Sequence, residues 1–300
     1  MLRSFLFRQS PARCLVQPCE PDPTMERMLT EQELDRVCVV LVRARNPNNI
    51  GAVARAMHDF GFSRLRVVNQ FPVPFEAARS AVDASQVLAH AVACTSVAEA
   101  VAGCTLVVGT TAVGERDLQH RLFTLAEAAP QMREELRRGD SAGRVALLFG
   151  SEKTGLSNEE LSHCNWLLTI PMHDHAGARH ASMNLGQAVA VCLYEFVRDN
   201  GCRAEPATDA NACLPSNELN TAAANRATSA DQERLAALLS EVLERTGYTQ
   251  HHPANSDTAQ LRRLVLRMGI DTQDAPVWMG ILRQVLWKLR NAEQGKEQEQ

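Results

Sequence analysis

The chain has 300 residues, 45% of them apolar and 22% charged, which is enough to bury a sizeable core in one or two domains. A formal net charge of -4 excludes a protein that is a polycation throughout, so a nucleic-acid surface would have to be a local basic patch on a mildly acidic body. No apolar run reaches the roughly 20 residues of a membrane span, and the nine cysteines, odd in number and scattered through runs such as VCVVLV and AVCLYEF, read as reduced core thiols of a cytoplasmic protein.

In chain order, the first 24 residues are basic, contain Ser and Pro, and have no acid before Glu20. A transit peptide shares that composition but would end in a cleavage signal, which is missing here. The segment reads as a disordered extension over residues 1–30, consistent with an upstream start ahead of Met25 and Met28. VCVVLV (37–42) is a continuous β-branched run, the mark of a strand buried on both faces. Apolar residues at 50, 53, 54, 57 and 60 then follow helical spacing closed by Gly61, and LRVV (65–68) is a second strand. This β-α-β start is continued by apolar strands at 104–111, 143–152 and 165–171. Helical stretches occupy 124–139 and 183–199. Such alternation predicts an α/β fold with a parallel sheet, helices on both faces, and functional loops at the carboxyl ends of the strands.

From 199 to 230 the composition turns to Ala, Asn, Thr and Ser, which predicts a mobile linker. Three amphipathic helices follow within 231–292 and predict a small appended bundle. The last residues form a solvated tail.

The strand ends carry the polar clusters. Gly109, Thr110 and Thr111 at one exit would let a ligand approach the backbone, or merely make a tight turn. The stretch LLFGSEKTGLSNEEL (147–161) places Gly150, Glu152 and Gly155 after a strand, and Ser157 with Glu160 has capping-box spacing. Lys153 precedes Gly155 instead of following it, so the stretch is not a nucleoside-triphosphate loop. Before the 183–199 helix, Ser182 or Asn184 could be the N-cap or a ligand contact. His173, Asp174, His175 and His180 form an H-x-H loop without a defined further ligand, and no metal site is assigned. Ser-His-Asp, C-x-x-C and G-x-G-x-x-G patterns are missing from any convincing context.

Three of these segments, NNIGAVARAM, ALLFGSEKTGLSNEEL and ASMNLGQAVAVCLYE, together resemble in order and spacing the motifs of the SPOUT-superfamily RNA 2'-O-methyltransferases of the TrmH-like branch. The resemblance covers Val37 to Arg198. A weaker one through RTGYTQHHPANSDTAQLRRL points to the type that methylates cytidine and uridine riboses in the tRNA anticodon loop. It implies a methyltransferase domain over 31–198 whose carboxyl-terminal part is threaded into a trefoil knot, which general packing rules would not suggest. It also implies S-adenosylmethionine as cofactor, tRNA as substrate with a pyrimidine at position 32 as the target, and a homodimer that completes the site.

The resemblance assigns cofactor contacts, mostly through backbone, to Thr110, Thr111, Ala112, Gly150, Glu152, Ile170, Ala181, Ser182, Met183 and Leu185. Arg55 matches the motif arginine that engages target phosphate and ribose. A guanidinium is a poor base, so positioning and charge stabilisation are the roles expected of it. Asn49 would shape the corner before the helix, and Asn184, with Ser182, would hold the target or the knot. The family commonly has a Ser-Ser pair where this chain reads Ala181-Ser182, so one hydroxyl contact is lost. Arg262, Arg263 and Arg267 lie on one predicted helix of the bundle as a phosphate-contacting stripe or a solvated face. Two alternatives stay open: ribosomal RNA or another tRNA site as substrate, and an RNA-binding protein without turnover.

Overall fold

The computed structural model describes residues 29–69, 85–112, 119–138, 143–173, 183–198, 225–253 and 256–298. The N-terminal extension up to residue 28, the linker up to residue 224, and the histidine-rich loop with Ala181 and Ser182 therefore lie outside the described residues.

Thr30 opens the described chain by capping α1 (Glu31–Leu34), its side chain and that of Glu33 forming a reciprocal capping box. The first apolar run is β1 (Val37–Val42), buried along its whole length. It leads to α2 (Pro47–Asp59), which buries Ile50, Val53, Ala54 and Met57 as their spacing predicts. Gly61, at φ +79°, turns the chain after this helix into β2 (Arg64–Val68). Next come α3 (Ser85–Ala89), β3 (Val92–Cys94), α4 (Val97–Val101), β4 (Leu106–Thr110) and β5 (Leu122–Thr124). The domain closes with α5 (Leu125–Arg137), β6 (Val145–Phe149), α6 (Asn158–Leu161), β7 (Trp166–Thr169) and α7 (Leu185–Val197).

The seven strands form one sheet in the order β3-β2-β1-β6-β4-β7-β5, with every neighbouring pair parallel. This is the expected doubly covered α/β sheet. Side chains alternate across it. Val37, Val39 and Leu41 join the core shared with α2, α5 and α7, whereas Cys38, Val40 and Val42 join the one under α4 and α6. The order has a functional consequence: the loops leaving β1, β6, β4 and β7 emerge side by side from neighbouring parallel strands.

Two strands escaped the sequence reading. β3 and β5 have three residues each and carry exposed positions such as Val92 and Leu122, as edge strands do, so neither shows a buried apolar run. Gly109 is packed closely. A Cβ there would sit 2.8 Å from Cys164 Sγ and 2.9 Å from Leu167 Cδ2, so core packing favours glycine at this position.

The appended bundle comprises α8 (Ser229–Arg245), α9 (Tyr248–His251), α10 (Thr258–Arg267) and α11 (Asp274–Gln298). Its core gathers Leu235, Ala236, Val265, Ile270, Ala275 and Met279. The residues just before it are docked: Ala227 is fully buried and donates its N–H to Ile270 O at 3.0 Å, while Ser229 and Ala230 donate to Cys104 O and Ala102 O. Residues 225–230, which the composition had assigned to the linker, are thus hydrogen-bonded into the described structure. Among the described residues, Cys38, Cys94, Cys104, Cys164 and Cys192 are buried free thiols, and no helix is long and apolar enough to cross a membrane.

Candidate active site

The polar corner after β1 is built by Asn46. Its Oδ1 accepts from Asn48 N at 3.0 Å and Pro47 occupies the first helical position, so Asn46 is the N-cap of α2. This corrects the reading of Asn49 as the corner residue. Asn49 sits in the first turn of the helix, which leaves its amide free to reach outward. Its Nδ2 donates to Glu152 Oε1, and its Oδ1 accepts from Asn184 Nδ2 at 3.4 Å. Asn184 is the N-cap of α7, its Oδ1 accepting from Gly186 N at 3.0 Å. The capping reading of this residue therefore holds, and the other end of its amide reaches Asn49.

The contact is possible because α2 and α7 pack very closely. A Cβ on Gly186 would lie 2.8 Å from Ala52 Cβ, so glycine lets the two helix starts approach. The loop after β6 is equally tight. Gly155, at φ +64°, donates its N–H to Ser151 O at 2.8 Å, and a Cβ on Gly150 would fall 2.1 Å from the Gly155 carbonyl carbon. Beyond it, Ser157 and Glu160 make the expected capping box of α6.

The remaining cofactor-contact candidates divide by what their side chains already do. Thr110 Oγ1 donates to Leu148 O at 2.9 Å, and Thr111 donates its N–H to Leu168 O at 3.0 Å and its hydroxyl to Ala112 O at 3.1 Å. Ala112 is exposed, Ile170 and Met183 are half-buried, and Leu185 is buried in the core. The Thr110 hydroxyl, its proton given to Leu148 O, is left as an acceptor only, and the Leu185 side chain is taken up by the core. Arg55 projects from the exposed face of α2 and makes no hydrogen bond or ion pair among the described residues. The fold brings Asn49, Glu152 and Asn184 together within one chain and leaves Arg55 outside that hydrogen-bonded group.

Sequence reasoning missed Arg43. It lies at the end of β1 with φ +59°, the one non-glycine residue of positive φ among the described residues, a conformation costing about 1 kcal/mol or more. An arginine directly before a polar corner was visible in the sequence, but its backbone conformation was not.

The arginine stripe on α10 needs correction at Arg262. This side chain is buried, with Nε 2.6 Å from Glu233 Oε1 and Nη1 donating to Ser162 Oγ at 2.6 Å and to Glu159 Oε1 at 2.9 Å. It fastens the bundle to α6 and does not face solvent. His163, with Nδ1 2.8 Å from Glu233 Oε1, joins the same group. Burial alone would raise the Glu233 carboxyl, but the hydrogen bond and charge of His163 and the guanidinium of Arg262 outweigh it and hold the carboxyl below its ordinary value. Arg263 is half-buried and Arg267 exposed. Both act on His120, whose imidazole is held below its ordinary value first by burial and then by these two charges. Among the described residues no group of three or more His, Cys, Asp or Glu could hold a metal ion, while Asp174, His175 and His180 lie outside them.

The family described as SpoU rRNA Methylase matches residues 36–194, a span containing all the strands and the Asn49–Glu152–Asn184 group. The chain belongs to the SpoU rRNA methylase family. Relatives align with more than four fifths of this chain. It is 32% identical to tRNA (cytidine/uridine-2'-O-)-methyltransferase TrmJ of Pectobacterium atrosepticum, over 84% of this chain and 97% of that one. It is 34% identical to tRNA (cytidine/uridine/adenosine-2'-O-)-methyltransferase TrmJ of Pseudomonas aeruginosa, over 83% of this chain and 93% of the relative. The crystal structure of TrmJ from Z. mobilis ZM4 superposes with a TM-score of 0.65 at 28% identity, covering 83% of this chain and 98% of the other. The likeness therefore extends past the catalytic domain into the helical bundle.

Proposed function

We propose that this SpoU-family protein transfers a methyl group from S-adenosylmethionine to the 2'-hydroxyl of a pyrimidine ribose in tRNA, at position 32 of the anticodon loop. The observation that carries the reading is the hydrogen-bonded meeting of Asn49, Glu152 and Asn184, one from each motif segment, at the carboxyl ends of the strands. The printed activities of the TrmJ relatives, similar along nearly their full length, support the substrate.

The neighbouring strand ends fit the cofactor. Gly150 removes the side chain that would hold the 150 and 155 backbones apart, and the rim residues Thr111, Ala112 and Ile170 leave the backbone approachable without placing a charged side chain on it. Gly150, Thr110, Thr111, Ala112, Ile170, Met183 and Leu185, with Ala181 and Ser182, would hold the group in the crevice of a knotted chain. When bound, it supplies a methyl on a sulfonium, an electrophile needing no metal. The hydroxyl must then be aligned behind that methyl, which positioning makes far more frequent than in solution. Arg55 would do this by engaging phosphate and ribose with its planar fork and by stabilising charge on the ribose oxygen as its proton passes to solvent water. Asn49 and Asn184 keep the crevice mouth in register through the shared hydrogen bonds.

Arg55, without a partner among the described residues, lies on the exposed face of α2, and α7, which packs against α2, exposes Val191 and Tyr194; this suits a cytoplasmic homodimer in which Arg55 of one protomer serves its partner's crevice. Domain assignments follow: methyltransferase 31–198, and an RNA-gripping bundle from 225 onward that uses Arg263 and Arg267 but not Arg262. The test is transfer of tritium from labelled S-adenosylmethionine to purified RNA. Label in tRNA, mapped to a pyrimidine ribose of the anticodon loop, is expected. Label in ribosomal RNA alone would move the substrate, and cofactor binding without label in either RNA would leave a binding protein.

A further inference from the structure

We propose that Arg43 is a positioning residue for the cofactor loop, its guanidinium tying the end of β1 to the 151–156 turn and so setting where the crevice wall stands. The proposal rests on the methyl-transfer reading and names a residue that reading does not use. Arg43 Nη2 donates to Gly155 O at 2.8 Å and to Glu160 Oε2 at 2.9 Å, and Nη1 donates to Thr154 Oγ1 at 3.4 Å. Nε lies 2.8 Å from Glu160 Oε1, so the fork faces both oxygens of that carboxylate. Glu160 also accepts from Ser157 N at 2.6 Å, and Thr154 shares a 2.8 Å hydrogen bond with Ser151 Oγ. One side chain therefore holds the turn, its own internal brace and the start of α6.

An ordinary surface ion pair would not require this geometry. The contacts converge from one loop more than a hundred positions away in sequence. The backbone of Arg43 adopts the left-handed conformation there while donating its N–H to Val68 O at 2.8 Å. Tertiary contacts that over-determine an unfavourable conformation are the mark of a functional constraint. Glu152, which carries the Asn49 contact, belongs to the same turn, so the position of the turn decides whether the three motif segments meet.

The experiment compares wild type, Arg43→Lys and Arg43→Ala in calorimetric titration with S-adenosylmethionine, with hydrogen exchange on the unliganded proteins. In Arg43→Ala the cofactor dissociation constant is expected to rise about tenfold, and the Gly155 amide, bonded to Ser151 O, to exchange at least about tenfold faster. Exchange in the β1 and β6 amides and tRNA affinity are expected to stay near wild type. Arg43→Lys keeps the charge but not the fork, so it should fall between the two and guards against a variant that fails to fold. Cofactor affinity within about twofold of wild type together with unchanged exchange at Gly155 overturns the proposal. So does loosening spread uniformly over the sheet, which would make Arg43 a general structural residue. If wild type itself binds no S-adenosylmethionine, the methyl-transfer reading falls, and the exchange comparison still decides whether Arg43 positions the turn.

Discussion

Arg55 and Asn49 share one helix but have different tasks, because helical geometry points them in different directions. Asn49 turns toward the strand-end loops and is held by Glu152 and Asn184, whereas Arg55 faces outward with no partner among the described residues. Arg55→Ala should therefore lower methyl transfer by about a hundredfold or more, the usual cost of losing a charge-stabilising group. Cofactor affinity, measured by calorimetry, should stay within about threefold, because the crevice is built from other segments. Wild-type turnover in that variant would remove Arg55 from the mechanism. Mixing Arg55→Ala with Asn184→Ala tests which protomer supplies the arginine. If it acts on the partner's crevice, random reassociation leaves one intact site in each mixed dimer and restores about one quarter of the activity, in tritium counts.

At the scale of elements, the packing of α2 on α7 positions the site, and a single glycine permits it. Gly186→Val would drive a branched side chain into Ala52, whose Cβ is already 2.8 Å from an ideal Cβ at 186. Overpacking of this kind costs about 1–3 kcal/mol, so the urea midpoint should fall, and Ala52→Gly in the same chain should recover part of the loss. The α10 arginines divide by the same reasoning. Arg262→Ala removes the guanidinium shared by Glu233 and Glu159 and should destabilise the docked bundle by about 1.5–3 kcal/mol in calorimetric unfolding, the cost of losing a charge-assisted hydrogen bond while His163 still pairs with Glu233. Arg267→Ala should leave stability unchanged and lower the salt dependence of tRNA binding by about one unit of slope, as expected for a lost phosphate contact.

For the whole molecule, the bundle is fastened to the catalytic domain through Glu233, His163, Arg262 and Glu159, together with the backbone hydrogen bonds of Ser229 to Cys104 and of Ala230 to Ala102. This makes the docking sensitive to acid. The Glu233 carboxyl titrates lower in the folded protein than its ordinary 4.5. Its contribution is fully present above that ordinary value and is lost as pH falls through the lower folded value. Limited proteolysis across residues 199–224 and small-angle scattering should therefore show the bundle loosening as acid carries the pH through that lower folded value. Release at neutral pH, or none at pH 3, would assign the docking to other contacts.

The sequence alone determined the parallel sheet, because buried strands reveal themselves as continuous β-branched runs, and VCVVLV, VALLF and WLLT each became one. It also determined the amphipathic faces of α2 and of the bundle helices and, through three motif segments in order, the family. Local hydrogen-bonding rules identified the Ser157–Glu160 box and offered Asn184 as a cap. Only the tertiary structure decided that Asn46 and not Asn49 makes the corner, that Gly109 serves packing, that Arg262 is buried, and that Arg43 holds a loop far away in sequence. The Asn46 cap is a local contact to Asn48, but the other three depend on what a distant segment places against the residue, and periodicity, which records only whether a position faces the core or the solvent, carries no information about which segment that will be.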